Sequence, residues 1–298
     1  MTTDSIWAVP VTGNNSGEPC YSTVNSQQWC YQAYRWNLDR IEAPIVTSSA
    51  APVQTGAAVT TFYYGSEINY YSTGLSSPGV KPYIRGGYVA AIGYTKISGS
   101  EAAAPPAKVI FRVENRCTNL NSSCDTTVLP TAANSASYPD VPTDLICGSA
   151  SCSKTAPSFF TTKHLVAIDS FVADGSITTG SVPGYRLLDR VRFVKEFPWD
   201  GSVDNLRKLF LRNIQRKASV TGVVGTGADD PDACGTSALC TPAIRFDSAS
   251  LLANRVVSSG SWMRLWRIDA VKDELGAETK VTYGQPDPCS PIPTGLSA

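Results

Sequence analysis

One pattern of apolar and polar positions occurs twice, far apart along the chain. Its copies are Trp36-Asn37-Leu38-Asp39-Arg40-Ile41 and Trp266-Arg267-Ile268-Asp269-Ala270-Val271. Each is followed by an alternating stretch that ends in tyrosine and glycine, at Tyr64-Gly65 and Tyr283-Gly284. The pattern predicts a strand, a polar turn and a second strand, with an aromatic residue at each end. The residues that define this structural repeat are Trp36, Leu38, Asp39, Ile41, Trp266, Ile268, Asp269 and Val271.

Weaker copies of the first half keep only two aliphatic residues three positions apart. In a regular strand, residues three apart face opposite sides of the sheet, so we expect these strands to be covered on both faces. Chance recurrence of a short spacing is an alternative explanation for the weak copies. They are Val89 with Ile92, Leu165 with Ile168, and Leu211 with Ile214.

The abundance of Thr, Ser, Gly, Pro, Tyr and Val favours strands and turns over helices. We therefore predict an all-β fold of stacked antiparallel β-hairpins that form an extended or shell-like sheet with disulfide-closed loops. Residues 1–114 form an N-terminal hairpin region, 115–158 a loop-rich disulfide excursion, and 159–298 a C-terminal hairpin region in one continuous sheet with the first. Residues 204–214 could begin as a helix, but their second half matches the repeat and is assigned to a strand.

Eight of the nine cysteines fall in close pairs within polar loops. Their spacing fits no zinc knuckle and His164 is the only histidine, so disulfides in an oxidising compartment are favoured over a metal site. Cys289 is left unpaired, and the N-terminus lacks a basic and apolar signal region. Both features suggest a segment of a longer secreted or cell-surface protein. The predicted pairs are Cys20 with Cys30, Cys117 with Cys124, Cys147 with Cys152, and Cys234 with Cys240.

Charge is balanced, with 25 basic and 25 acidic residues, which argues against nucleic acid or an anionic membrane as the main partner. No stretch is long and apolar enough to span a bilayer. We expect neither a nucleic-acid partner nor a membrane span.

No constellation of residues indicates catalysis or a cofactor. His164 has no carboxylate or cysteine at a recognisable spacing, and there is no Gly-x-Ser-x-Gly turn. The acidic residues at 200–205 and 229–232 do not complete a calcium loop and are typical of turns. A carboxylate pair of the glycosidase type stays possible for any β-rich fold. Its candidates lie near aromatic residues: Asp39, Glu42, Asp200, Asp269 and Asp273.

Paired aromatic residues on the predicted strands support a second hypothesis, an extracellular carbohydrate-binding or adhesive module. Adjacent strand residues point to opposite faces, so one ring of each pair can face solvent. The candidates for ligand stacking are Tyr64, Tyr71 and Trp262.

Several stretches, taken in order, resemble the region just upstream of, and merging into, the repeat array of large secreted bacterial Rhs/YD-repeat proteins. The resemblance covers nearly the whole chain. It rests on Trp7-Ala8-Val9-Pro10-Val11, Gly17-Glu18-Pro19-Cys20, Tyr34-Arg35-Trp36-Asn37-Leu38-Asp39, Arg85-Gly86-Gly87-Tyr88, Tyr138-Pro139-Asp140-Val141-Pro142, Phe159-Phe160-Thr161-Thr162-Lys163, Phe197-Pro198, Leu265-Trp266-Arg267-Ile268 and Thr282-Tyr283.

The resemblance implies a non-enzymatic wall or cap of a β-shell, which in Rhs-type proteins often encloses a C-terminal toxin. It also implies a further cysteine beyond Cys289 as its partner, and a Tyr-x-Phe-Gly strand before Trp7, so that the chain would start within a sheet. The first repeat departs from the family, because Glu42-Ala43-Pro44 stands where an Asp-Pro-x-Gly-Asn turn is usual. The expected partners are the remainder of a longer chain and, through open sheet edges, other copies of this segment.

Overall fold

The computed structural model describes residues 4–21, 28–43, 57–73, 79–97, 104–118, 130–179, 182–199, 207–219, 238–247, 250–252 and 265–283. Almost all regular structure in these ranges is β-strand, which confirms the all-β prediction. The strands are β1 Ile6–Thr12, β2 Trp29–Trp36, β3 Arg40–Glu42, β4 Ala58–Ser72, β5 Val80–Ile97, β6 Ala107–Asn115, β7 Lys163–Thr179, β8 Val182–Glu196, β9 Phe210–Ser219, β10 Ala238–Cys240, β11 Ile244–Asp247, β12 Ser250–Leu252, β13 Leu265–Arg267, β14 Ala270–Lys272 and β15 Glu278–Lys280.

Eleven of these strands form one antiparallel sheet that follows the chain almost in order. The strand order is β3-β4-β5-β6-β7-β8-β9-β11-β14-β15, and β10 pairs with β9 beside β11. Strands β1 and β2 form a separate two-stranded sheet, and so do β12 and β13. The second half of the ambiguous segment, from Phe210 onward, is strand β9 as expected, while residues 200–206 lie outside the described part.

The weak copies of the repeat do not face both sides of the sheet, and this corrects the prediction. In β5, Val89 and Ile92 lie opposite Tyr64 and Phe62, which are two residues apart on β4 and therefore share a face. The register of β5 against β4 shifts by one residue between Val89 and Ile92, because Ala90 has no residue opposite it on β4. Such a bulge inserts one residue and resets the alternation of side chains.

The same shift occurs in the other two weak copies. Leu165 and Ile168 lie opposite Val113 and Phe111, and Leu211 and Ile214 lie opposite Lys195 and Phe193. A spacing of three in this chain therefore indicates a strand with a bulge after its first aliphatic residue, with both aliphatic side chains on one face.

The β1–β2 hairpin packs on the face of β4 and β5. The Tyr71 hydroxyl on β4 donates a very short hydrogen bond to the Pro10 carbonyl of β1. The close approach of β1 to β5 requires a glycine at position 87. A Cβ atom at Gly87 would lie 2.6 Å from the Trp7 ring and 2.4 Å from the Gly65 carbonyl. At Gly65 itself a Cβ would lie 2.5 Å from the Tyr88 ring, which explains the glycine that closes the first repeat.

The described part of the 115–158 excursion contains two short 3-10 helices, Ala132–Ser137 and Thr143–Leu145. It is docked on the same sheet by buried polar groups. The Asn69 side chain accepts from the Cys147 amide at 2.9 Å and donates to the Leu145 carbonyl at 2.9 Å. The Tyr83 hydroxyl bonds both backbone groups of Ser158, at 2.7 and 2.8 Å. These bonds hold an irregular segment in place where no strand pairing is present.

Two buried carboxylates lie within the sheet, each held by arginine. Asp169 in β7 is fully buried, and Arg190 of β8 binds it through two nitrogens at 2.6 and 2.9 Å. Arg112 of β6 donates a very short hydrogen bond to the same carboxylate. In the second cluster, buried Glu67 accepts from Arg85 at 3.1 Å and from the Thr162 amide and hydroxyl at 2.8 and 2.7 Å. The charges therefore tie adjacent strands together across the middle of the sheet.

We expect Asp169→Ala to lower the free energy of unfolding by about 3 kcal/mol or more, because it leaves two arginines beside a buried site without their carboxylate. Urea denaturation of the whole chain measures this loss. The matched control is Glu42→Gln, which breaks the exposed Arg40–Glu42 pair at 2.8 Å and should cost less than about 1 kcal/mol. Equal losses in the two variants would contradict a structural role for the buried pair.

Candidate interaction site

The first repeat is closed by its terminal tyrosine. The Tyr64 hydroxyl on β4 donates to the Leu38 carbonyl at 2.7 Å, and the Phe62 amide donates to the Asp39 carbonyl at 2.9 Å. These bonds satisfy the backbone of the polar turn between Trp36 and β3, where strand pairing is interrupted. The tyrosine therefore joins the turn to the neighbouring strand.

The second repeat uses the same atoms. The Tyr283 hydroxyl donates to the Ile268 carbonyl at 2.7 Å, and the Val281 amide donates to the Asp269 carbonyl at 2.7 Å. The two sequence copies are thus two copies of one backbone arrangement. Both lie at the ends of the large sheet, the first as β3–β4 and the second as β14–β15.

The two copies differ in exposure. Trp36, Leu38 and Ile41 are 70%, 53% and 51% exposed, whereas the equivalent Trp266, Ile268 and Val271 are all half-buried. The sequence pattern is the same in both copies, so the difference comes from the surroundings. The exposed residues of the first repeat, together with Ile6 opposite Trp36, are called the first-repeat surface below.

Among the predicted ligand-stacking residues, Tyr71 is a correction. Its side chain is only 6% exposed, because it lies beneath β1 with its hydroxyl bonded to Pro10 and its ring against Tyr83. Tyr64 is half-buried, with its hydroxyl committed to Leu38, and Trp262 lies outside the described residues. Two tryptophans of the described residues, Trp36 and Trp199, are exposed.

Two predicted disulfides are present with their cysteines fully described. Cys20–Cys30 and Cys147–Cys152 join Cα atoms 5.2 and 5.3 Å apart. Cys117 and Cys240 are also disulfide-bonded. Their predicted partners, Cys124 and Cys234, lie outside the described residues, as does Cys289.

A cluster of ionisable groups surrounds His164, and sequence analysis missed it. His164 on β7 lies opposite Glu114 of β6, and Lys195 and Arg116 act on it electrostatically. Burial first, then these two cations, lower the pKa of His164 to about 4. Burial also lowers the pKa of Lys195 to about 8. Asp140, which contacts Arg116, comes from the irregular excursion, so no local motif could have connected these residues.

Four buried polar atoms of this cluster have no hydrogen-bond partner within the described part of the chain. They are His164 Nδ1, Lys195 Nζ, Arg116 Nε and Asp140 Oδ1. Buried polar atoms normally have a partner. We therefore expect a change of charge in this cluster to alter the stability of the chain.

The described residues contain no group of three or more His, Cys, Asp or Glu side chains arranged to hold a metal ion. In the same residues, no helix has the length and apolar character needed to cross a membrane. The acidic stretches at 200–205 and 229–232 lie outside the described part.

No known family model matches the chain, and no curated protein matches it. The chain is similar to crystal structures of TcdB2-TccC3 with a TM-score of 0.33 and 12% sequence identity, over 84% of this chain and 10% of that one. TcdB2-TccC3 without its hypervariable C-terminal region and TcdB2-TccC3-TEV match over 83% of this chain, with the same TM-score and 12% and 11% identity. The chain spans a tenth of the length of these proteins, and at this TM-score the likeness carries no argument about function.

We expect Tyr64→Phe and Tyr283→Phe each to lower the free energy of unfolding by about 1 kcal/mol, because each leaves a turn carbonyl without its donor while keeping the ring. Chemical denaturation provides the measurement. Tyr94→Phe is the control, since the exposed Tyr94 hydroxyl makes no hydrogen bond within the described part of the chain, and it should be neutral. Neutral results for all three would show that the closing bonds add nothing.

We expect stability to fall as pH is lowered from about 6.5 to 4, by up to about 3 kcal/mol from His164 alone. The pKa of His164 is lowered in the folded state, so the unfolded chain binds a proton in this window that the folded chain does not. Urea denaturation of the wild type and of His164→Asn across this range isolates the contribution, because the chain has one histidine. A wild type and variant that lose stability in parallel would contradict the lowered pKa.

Proposed function

We propose that this chain is a non-enzymatic structural segment of a longer secreted protein of the Rhs/YD-repeat type, forming wall or cap of a β-shell. In proteins of that type the shell often encloses a C-terminal toxin. The observation that carries the proposal is that the same closed repeat stands at both ends of one continuous antiparallel sheet.

A sheet with the same closed unit at its two ends has the organisation of a repeating array. Each unit is completed by its neighbour, so the array can continue in either direction by the same strand pairing. A self-standing domain protects its edges, because an unpaired strand invites association. Here the end strand β3 is bordered by the exposed, apolar first-repeat surface.

The disulfides support an oxidising compartment, and so a secreted or cell-surface location. Cys20–Cys30 and Cys147–Cys152 join cysteines that are 10 and 5 residues apart along the chain. Disulfides of this kind persist outside the cytosol and are rare within it.

The second candidate is the adhesive or carbohydrate-binding module. This hypothesis is weakened because Tyr71 is buried and the Tyr64 hydroxyl is hydrogen-bonded to the Leu38 carbonyl. The exposed rings of Trp36 and Trp199 keep it testable. The structural role is favoured because Trp36 belongs to a repeat whose other copy has the equivalent Trp266 half-buried.

We expect the isolated chain to self-associate increasingly with concentration in sedimentation velocity, because no described strand borders the outer edge of β3 and the first-repeat surface is exposed. Ile41→Lys should reduce association by placing a charge at that edge. Ile68→Lys, equally exposed but in the middle of β4, is the matched control and should leave association unchanged.

A clean monomer at every concentration would contradict the wall assignment.

On a glycan array we expect no retention. A glycan bound by the wild type and lost in Trp36→Ala would replace the structural function with the adhesive one.

A further inference from the structure

The irregular excursion leaves the sheet at the end of β6 and returns to it at the start of β7. Asn115 is the last residue of β6, Lys163 is the first residue of β7, and the two lie directly opposite each other. The Lys163 Nζ atom donates to the side-chain oxygen of Asn115 at 2.6 Å. Because these residues are 48 positions apart along the chain, their contact joins the two ends of the excursion.

This contact places an amine against the carbonyl group of a carboxamide, which are the two groups of an amide-exchange reaction. Since a C=O bond is about 1.2 Å long, Nζ lies within about 4 Å of the Asn115 carbonyl carbon Cγ. Reacting atoms in a near-attack arrangement are about 3–3.5 Å apart, so a small movement of the lysine side chain is sufficient. Both groups are held by the strand pairing, which makes their reaction effectively unimolecular.

The surroundings favour the same reaction. Asn115 is 3% exposed, and Tyr138, whose hydroxyl is hydrogen-bonded to the Asn115 side chain, is 1% exposed. Burial is the largest cause that lowers the pKa of the half-buried Lys163, and this increases the share of neutral amine, the nucleophilic form. The Arg85 charge lowers the same pKa, and the Glu67 charge raises it. Burial of the carboxamide also keeps water from competing with the amine.

We propose that Lys163 and Asn115 form an intramolecular isopeptide bond at the base of the excursion. The bond between Nζ and Cγ forms, the bond between Cγ and Nδ2 of Asn115 breaks, and ammonia leaves. One proton passes from Nζ to the departing nitrogen, and the Tyr138 hydroxyl is the group placed to carry it. The two side chains supply every atom of the product and of the ammonia, so the reaction consumes no other reagent.

Such a bond would make the excursion a covalently closed loop. Closing a loop restricts the unfolded chain, as a disulfide does, but a reductant does not open an amide. Cys117, two residues beyond Asn115, is disulfide-bonded, so the base of the excursion would carry one reducible and one permanent link. The proposal goes beyond the wall assignment and does not depend on it, because it concerns two side chains of adjacent strands.

The mass of the intact whole chain, measured after full reduction and alkylation of its cysteines, tests the proposal. We expect the wild type to be lighter than its sequence requires by the mass of one ammonia. Lys163→Arg should have its full sequence mass, because the guanidinium stays protonated and does not attack the carboxamide. The matched control is Lys272→Arg at the exposed pair with Asp247, and it should keep the loss of ammonia.

Tandem mass spectrometry of a protease digest locates the bond, and we expect one branched peptide that contains both Asn115 and Lys163. Tyr138→Phe keeps the buried ring but removes the hydroxyl, and it should slow the loss of ammonia by about a hundredfold in a time course on the folded chain. An unchanged rate would show that the hydroxyl does not carry the proton, and the bond itself would then still be decided by the wild-type digest.

A folded wild type with its full sequence mass and no branched peptide would overturn the proposal, because Lys163 and Asn115 would then share a hydrogen bond only. An ammonia loss that persists in Lys163→Arg would overturn it as well, since another residue would be its source. The wild-type digest gives its answer even where a variant fails to fold. Neither result changes what sedimentation shows about the wall assignment.

Discussion

Donation from a tyrosine hydroxyl to a backbone carbonyl is the interaction on which this arrangement of strands depends. It closes both repeats, at Leu38 and Ile268, and it recurs where the β1–β2 hairpin meets β4 and β5 and where β8 meets the segment before β6. A tyrosine ring covers apolar surface while its hydroxyl donates to a backbone carbonyl, and at Leu38 and Ile268 that carbonyl lies in a turn outside the strand ladder. The further donors and acceptors are Tyr31 to Pro82, Tyr34 to Ile84, Tyr71 to Pro10 and Tyr185 to Pro105.

The sequence alone was sufficient to predict the all-β class and to locate the repeated unit, because both depend on local spacing. It failed on the direction of side chains, since a bulge after Val89, Leu165 or Leu211 reverses the alternation without changing the residue pattern. It also failed on Tyr71. A pair such as Tyr70-Tyr71 shows that the rings face opposite sides, but it does not show that β1 lies over one of those sides.

The buried charges could not be predicted for a related reason. Asp169 is held by arginines 57 and 21 residues away along the chain, so only the order of strands brings them together. Burying these ions costs desolvation energy, and their pairing restores it only when each strand stands in its correct register. A slip by one residue would leave Asp169 unpaired within the sheet. The charged pairs therefore favour one strand register over registers shifted by a residue. Backbone hydrogen bonding between bulged strands does not by itself select that register.

The unequal exposure of the two repeats follows from the same dependence on neighbours. A three-residue strand such as β3 or β14 buries little surface on its own, so its apolar side chains are covered only when strands stand on both sides. Val271 has such cover from β11 and β15, and Ile41 does not have it within the described chain. The tyrosine hydrogen bond thus fixes the backbone of each repeat. Burial of the repeat's apolar side chains depends on the strand that pairs next to it. A unit built in this way is most stable in the middle of an array and least stable at its ends, which is the physical argument behind the proposed role as a segment of a wall.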